Sequence, residues 1–253
     1  MADRDYGDRV LPHRKRDAES EVAQLLGPLT TKTIAYIKQH WNRTDTVVLS
    51  TNTASFVFFI ANAWWGSAWV CTLASLVPLC IQTLRARAVG DSLRPALVFG
   101  AYIGAAWPIG EGLVTWAVGW WGEYLAPGPI VWHTPVYCML IGWLASTHIY
   151  YVTKRTVEMG WSNRAAAVHA FLMATIIGVI GENLFVAAGM WRYHASNLDW
   201  LSVPAFVPIA YGIGYCVLPY ASRARAVSAA AIVAALLLCV SVGLGFATGF
   251  FPR

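Results

Sequence analysis

Residues 95–121 read PALVFGAYIGAAWPIGEGLVTWAVGWW, with one charged side chain, Glu111, inside a long apolar run. A helix needs about 20 such residues to cross a bilayer. Six further segments share this character, at roughly 46–65, 67–84, 131–152, 165–191, 201–220 and 227–250. The first two are separated only by the turn Trp64-Trp65-Gly66-Ser67, which predicts a tight helical hairpin. A barrel is disfavoured because the segments lack its alternating pattern, and a lipid-exposed strand edge leaves backbone groups unsatisfied. The expected fold is all-α: a polytopic integral membrane bundle of about seven transmembrane helices over residues 45–253.

Composition agrees with this reading. The 253 residues are 57% hydrophobic and only 12% charged, with a mean hydropathy of +0.52. Soluble domains carry about 25% charged residues, so a soluble enzyme is excluded. Residues 1–44 hold 8 of the 18 basic and 6 of the 13 acidic side chains, and form a polar cytoplasmic segment. Within it, residues 20–41 place Val22, Leu25, Leu26, Leu29, Ile34, Ile37 and Trp41 among polar neighbours. They form either an amphipathic helix on the inner membrane face or a loose tail. The net charge of +5 marks cytoplasmic loops rather than a nucleic-acid partner. Arg85, Arg87 and Arg94, then Lys154, Arg155 and Arg164, then Arg223 and Arg225 occupy alternate connections. The intervening connections carry only Arg192. The N-terminus is therefore expected inside and the C-terminus outside.

Outward from Glu111, the run Ile109-Gly110-Glu111-Gly112-Leu113 recurs 71 residues later as Ile180-Gly181-Glu182-Asn183-Leu184. Each Glu is followed by a Trp (Trp120, Trp191), a Tyr (Tyr124, Tyr193), and a Trp with a Pro opening the next segment (Trp132 and Pro135, Trp200 and Pro204). The copies, about 95–152 and 165–220, are two helices apart. This predicts a parallel tandem repeat of helical hairpins with a site between the halves.

Both glutamates fall at one depth in the outer half of the membrane. An acid there costs on the order of 3 kcal/mol to insert and usually faces the interior, where it either works or packs against a neighbouring helix. The expected species is a neutral acid able to donate a proton. His148 and His169 stand apart, so no metal cluster is expected. The five cysteines lie in apolar segments without a CxxC pair and read as buried thiols. Tryptophan numbers 13, more than Tyr or Phe. About half of it forms interfacial belts, but Trp107, one turn before Glu111, and the deeper Trp116 and Trp143 do not. Thr115, Tyr137, Asn183, Tyr193, Tyr211 and Tyr215 complete the candidate substrate-binding set. Acids beside electron-rich rings suit protonation of an alkene or epoxide followed by cation–π stabilisation. Retinal proteins are excluded, because Lys15, Lys32, Lys38 and Lys154 leave no lysine in the last segment.

The motifs Trp107-Pro108-x-x-Glu111 and Gly181-Glu182…Trp191-x-Tyr193, followed by Val203-Pro204-Ala205-Phe206-Val207-Pro208, resemble those of small membrane-integral isoprenoid enzymes. These are the carotenoid-type lycopene cyclases, the carotenoid hydratases and, more loosely, the membrane-bound meroterpenoid cyclases. The resemblance covers about residues 95–220. It implies that Glu111 and Glu182 are the catalytic acids of a cofactor-independent terpenoid cyclase acting on a lipophilic isoprenoid from the bilayer. Gly110, Gly112, Gly181 and Asn183 stand where some of those motifs double the acid, which leaves cyclisation and hydration both open. A proton-coupled transporter could use the same paired acids. Scarce Asn, Ser, Thr and charged groups in the segments count against a polar cargo.

Overall fold

A computed structural model describes residues 38–89, 92–118, 122–194 and 198–250, without the side chains of 115–118. Residues 1–42 and 43–253 form separate units, and the architecture below is that of the second. The expected amphipathic stretch at 20–41 lies almost wholly outside the described residues.

The chain is mostly helical. Helices α1 (Arg43–Trp65), α2 (Ala68–Val89) and α3 (Leu93–Val118) lead into strand β1 (Gly122–Tyr124) and a hairpin of β2 (Ile130–Val131) and β3 (Thr134–Pro135). Then come α4 (Val136–Glu158), α5 (Asn163–Ala187), β4 (Trp191–Tyr193), and a second hairpin of β5 (Asp199–Trp200) and β6 (Val203–Pro204). Helices α6 (Phe206–Tyr215), α7 (Leu218–Ala221) and α8 (Ala226–Ala247) finish the bundle. Five of these helices, α1, α2, α3, α5 and α8, are long and apolar enough to cross a membrane. Helix α4 has the length but carries buried Ser146, Thr147, Thr153 and Thr156. The segment expected at 201–220 opens with a hairpin, and its helix, Phe206–Ala221, is short.

Helix α3 packs on α4, α5 on α6, and α8 on both α3 and α6, while α4 meets α5. These five enclose the centre, and the α1–α2 hairpin lies against α4 and α5. That hairpin turns at Gly66 (φ +58°), where a Cβ would come within 2.8 Å of the Ala188 carbonyl oxygen. Asn62, fully buried, holds the turn: its Oδ1 accepts from Ser67 N at 3.0 Å and its Nδ2 donates to Cys71 Sγ at 3.2 Å. Further along, Gln82 Nε2 donates to Thr51 Oγ1 and Asn52 Oδ1, and Asn52 Nδ2 meets His148 Nδ1 at 2.8 Å. Such interhelical bonds join helices where lipid removes any hydrophobic drive between them. Large apolar side chains such as Leu49, Phe58, Leu73, Tyr102, Ile176 and Ile232 face outward, compatible with a bilayer.

Arg155 differs from its sequence reading as a loop cation. It lies in the last turn of α4, with Nε 3.0 Å from Asp45 Oδ1 and Nη2 3.1 Å from Asp45 Oδ2. Tyr151 adds a third donor to Asp45 at 2.7 Å, so this pair fastens the start of α1 to the end of α4.

Two stretches share one order of elements, helix, strand, hairpin and helix, from α3 to α4 and from α5 to α6. Trp132 (φ 60°) and Leu201 (φ 63°), 69 residues apart, are the left-handed residues of the two-residue hairpin turns. Trp132 thus corresponds to Leu201, not to Trp200 as the sequence pattern suggested. Strands β1 and β4 pair antiparallel, Gly122 with Tyr193 and Tyr124 with Trp191, about the central pair Glu123–Arg192. At the same offset of 69, each position of one strand meets the partner position of the other, the self-complementary pattern of a two-fold contact.

Candidate functional site

Beneath the β1–β4 ladder lies a cavity of about 140 Å³ bounded by α3, α4, α5 and α6. Glu111 and Glu182 both line it, with Trp107, Tyr124, Phe185, Trp191, Tyr193, Tyr211 and Tyr215 supplying aromatic walls. Trp107 and Tyr211 stand with ring centroids 6.2 Å apart, and Tyr124 meets Trp191 edge-on at 6.1 Å.

Each carboxyl is gripped in the same manner. Glu111 Oε1 accepts from Trp107 Nε1 at 2.9 Å and from the Tyr124 hydroxyl, and its Oε2 accepts from Thr134 Oγ1. Glu182 Oε2 accepts from Trp191 Nε1 at 3.2 Å and the Tyr193 hydroxyl at 2.7 Å, and its Oε1 from the Tyr211 hydroxyl at 2.6 Å. In each, one oxygen is fixed as an acceptor by an indole, which can only donate, and a phenol. Burial pushes the Tyr124 and Tyr193 phenols well above their ordinary range, so both keep their protons at neutral pH. The other oxygen faces a hydroxyl, Thr134 or Tyr211, which can donate or accept. That oxygen can therefore carry a proton and donate it to the hydroxyl oxygen, whose own hydrogen then turns away from the carboxyl. Among the described residues no three His, Cys, Asp or Glu side chains are placed to hold a metal ion.

The halves differ in how they fill this space. Trp107 sits over Gly142, where a Cβ would lie 3.3 Å from its ring, and Tyr211 sits over Gly178, where a Cβ would lie 2.7 Å from its ring. Gly178 follows Trp107 by 71 residues, and Tyr211 follows Gly142 by 69. The large and small partners are exchanged between the halves. Likewise Val203 stands where the first half has Thr134, so Glu182 takes its third donor from α6 instead.

Of the sequence-derived candidates, Glu111, Glu182, Trp107, Tyr193, Tyr211 and Tyr215 meet at this cavity. Three do not. Asn183 spends its amide on the β5–β6 hairpin, donating to Trp200 O and accepting from Ser202 N, as well as donating to Val179 O. Trp143 donates to Leu97 O and packs on Gly104 of α3, and Tyr137 lies buried with its hydroxyl 3.3 Å from Met190 O. The side chains of Thr115 and Trp116 lie outside the described residues. Sequence reasoning missed Tyr124, Thr134 and Trp191 as partners of the acids. The signal was there for two of them, because Tyr124 and Trp191 were landmarks of the repeat.

Comparison of the chain with protein-family models, curated protein sequences and solved structures finds no match.

Proposed function

We propose that this chain is a membrane-bound terpenoid cyclase of the isoprenoid cyclase and hydratase group, starting its reaction by protonating an alkene or epoxide. The supporting observation is the paired carboxyls, each held by an indole, a phenol and a reversible hydroxyl, in one aromatic cavity between corresponding halves. The halves would be a duplicated hairpin unit, completed by α4 and the short α6–α7 segment to seven spans with the N-terminus inside.

In the reaction, one carboxyl O–H gives its proton to an alkene carbon, forming a C–H bond and leaving the adjacent carbon cationic. The π pair of a second double bond attacks that carbon and closes a ring. Loss of a proton to the other carboxyl restores an alkene, so the product is isomeric with the substrate. With an epoxide the proton goes to oxygen and a C–O bond breaks. Trp107, Trp191 and Tyr211 would steady the cation through their ring faces. A cavity of about 140 Å³ matches a single ring; an engineered apolar cavity of about that size takes benzene. It would hold one end of a chain whose remainder leaves toward the bilayer.

The test is to supply linear isoprenoids, including epoxidised and aromatic-linked ones, to wild type, Glu111→Gln and Glu182→Gln. Gln keeps the shape but cannot deliver a proton, and a lost general acid costs about 10²–10⁴ in rate. Products of unchanged mass lost in at least one variant support the cyclase. A gain of one water means a hydratase. Full activity in both single variants overturns acid catalysis, and the absence of product from every lipid favours a carrier.

A further inference from the structure

The cavity carries a second polar feature. Ser146 Oγ and the Tyr215 hydroxyl lie 2.5 Å apart, both side chains line the cavity, and the residues are 1% and 4% exposed. They are 69 residues apart, the offset that relates the hairpins. They are therefore corresponding positions of the two halves, meeting across the junction. Between them they have two hydroxyl hydrogens. One is used in their mutual bond, and the other finds no acceptor among the described residues. A buried donor left without an acceptor costs about 1–3 kcal/mol, and here it borders empty space.

On α5 the lining runs from Ala174 to Phe185, and on α4 from Cys138 to Ile149. Tyr215 lies one turn beyond Tyr211, whose hydroxyl holds Glu182, so the hydroxyl pair is set about 6 Å further along α6 than that donor. The apolar side chains of Ile141 and Ile177 also line the cavity. We infer that the Ser146–Tyr215 pair is a binding subsite for an oxygen function on the ligand, so the ligand is an oxygenated isoprenoid bound by its hydroxyl or carbonyl. This rests on the isoprenoid reading of the same cavity. It adds that a pure hydrocarbon is the poorer ligand: an alcohol or ketone accepts the spare hydrogen, and a hydrocarbon leaves it stranded.

The probes are geraniol and 2,6-dimethylocta-2,6-diene, which share a carbon skeleton and both double bonds and differ in the terminal hydroxyl, titrated calorimetrically into the purified full chain in detergent micelles. Wild type is expected to bind geraniol about tenfold more tightly, the worth of one net hydrogen bond. The double variant Ser146→Ala/Tyr215→Phe removes both hydroxyls together, which leaves no orphan and preserves the fold; it should bind the two probes equally. Glu111→Gln should keep the preference. Equal binding of both probes by wild type overturns the subsite and leaves the cavity reading standing. A preference that survives the double variant puts the alcohol at the carboxyls and also overturns it. Failure of wild type to bind either probe removes the isoprenoid reading and the subsite with it.

Discussion

Thr134 is fully buried, and its hydroxyl serves Glu111 Oε2. Replacing it with Val keeps the shape and copies Val203 of the second half. Thr134→Val should therefore insert and fold but lower turnover about tenfold, the worth of one net hydrogen bond. Unchanged turnover would show that this oxygen does not carry the working proton. Asp45 tests the architecture instead. It is buried and answers the Arg155 guanidinium through both oxygens. Asp45→Ala leaves Glu158, 2.8 Å from Nη1, as the described carboxylate partner of the Arg155 guanidinium and strips the Tyr151 hydroxyl of the Asp45 acceptor, at a cost of about 1–3 kcal/mol. A lowered thermal midpoint with an unaltered ligand preference is the expected result. The acids themselves were legible in the sequence because a charge inside an apolar run is conspicuous. Their partners were less so, since Tyr124, Thr134 and Trp191 look like ordinary residues at a membrane boundary.

Two glycines of similar sequence setting behave oppositely at the scale of the helix. A Cβ at Gly178 would lie 2.7 Å from the Tyr211 ring and 3.0 Å from Pro208 Cβ, while a Cβ at Gly110 meets nothing within 4 Å. Gly178→Ala should displace Tyr211 and cost about 1–3 kcal/mol by overpacking. Gly110→Ala should gain up to about 1 kcal/mol, because alanine loses less backbone freedom in a helix. Thermal midpoints moving in the same direction would refute this account of the α5–α6 contact. Five helices long and apolar enough to cross a membrane overlap segments expected from apolar length, while α4 is more polar and 201–220 holds only a short helix. The hairpins were not legible in the sequence, for a physical reason. Their two-residue turns are Trp132-His133 and Leu201-Ser202, whereas a turn needing positive φ is usually announced by Asn-Gly or Asp-Gly. Strands of two residues also carry no alternation to read. Pro135 and Pro204, read as helix openings, instead end the hairpins just before α4 and just before Ala205 and α6.

For the molecule as a whole, the proposed seven-span arrangement would put the β1–β4 ladder outside and Arg85, Arg87 and Arg164 inside. Single cysteines introduced at Arg87 and at Glu123, in a chain stripped of its own thiols, should be labelled from opposite sides by a membrane-impermeant reagent. Labelling of both from one side contradicts the topology. The repeat was visible as pattern, and its landmarks already change offset, from 71 at the glutamates to 69 at Tyr124 and Tyr193 and at Pro135 and Pro204; the hairpin turns at Trp132 and Leu201 share the second value. The central claim is that a proton from a cavity carboxyl enters the isoprenoid. The most direct measurement is to turn over a linear, epoxide-free isoprenoid alkene in D2O and follow the label by mass spectrometry and NMR. The account predicts a cyclic product bearing one deuterium at the carbon that was protonated, with label and product both lost in the inactive Glu→Gln variant. A cyclic product without deuterium, or an equally labelled product from both Gln variants, would contradict it.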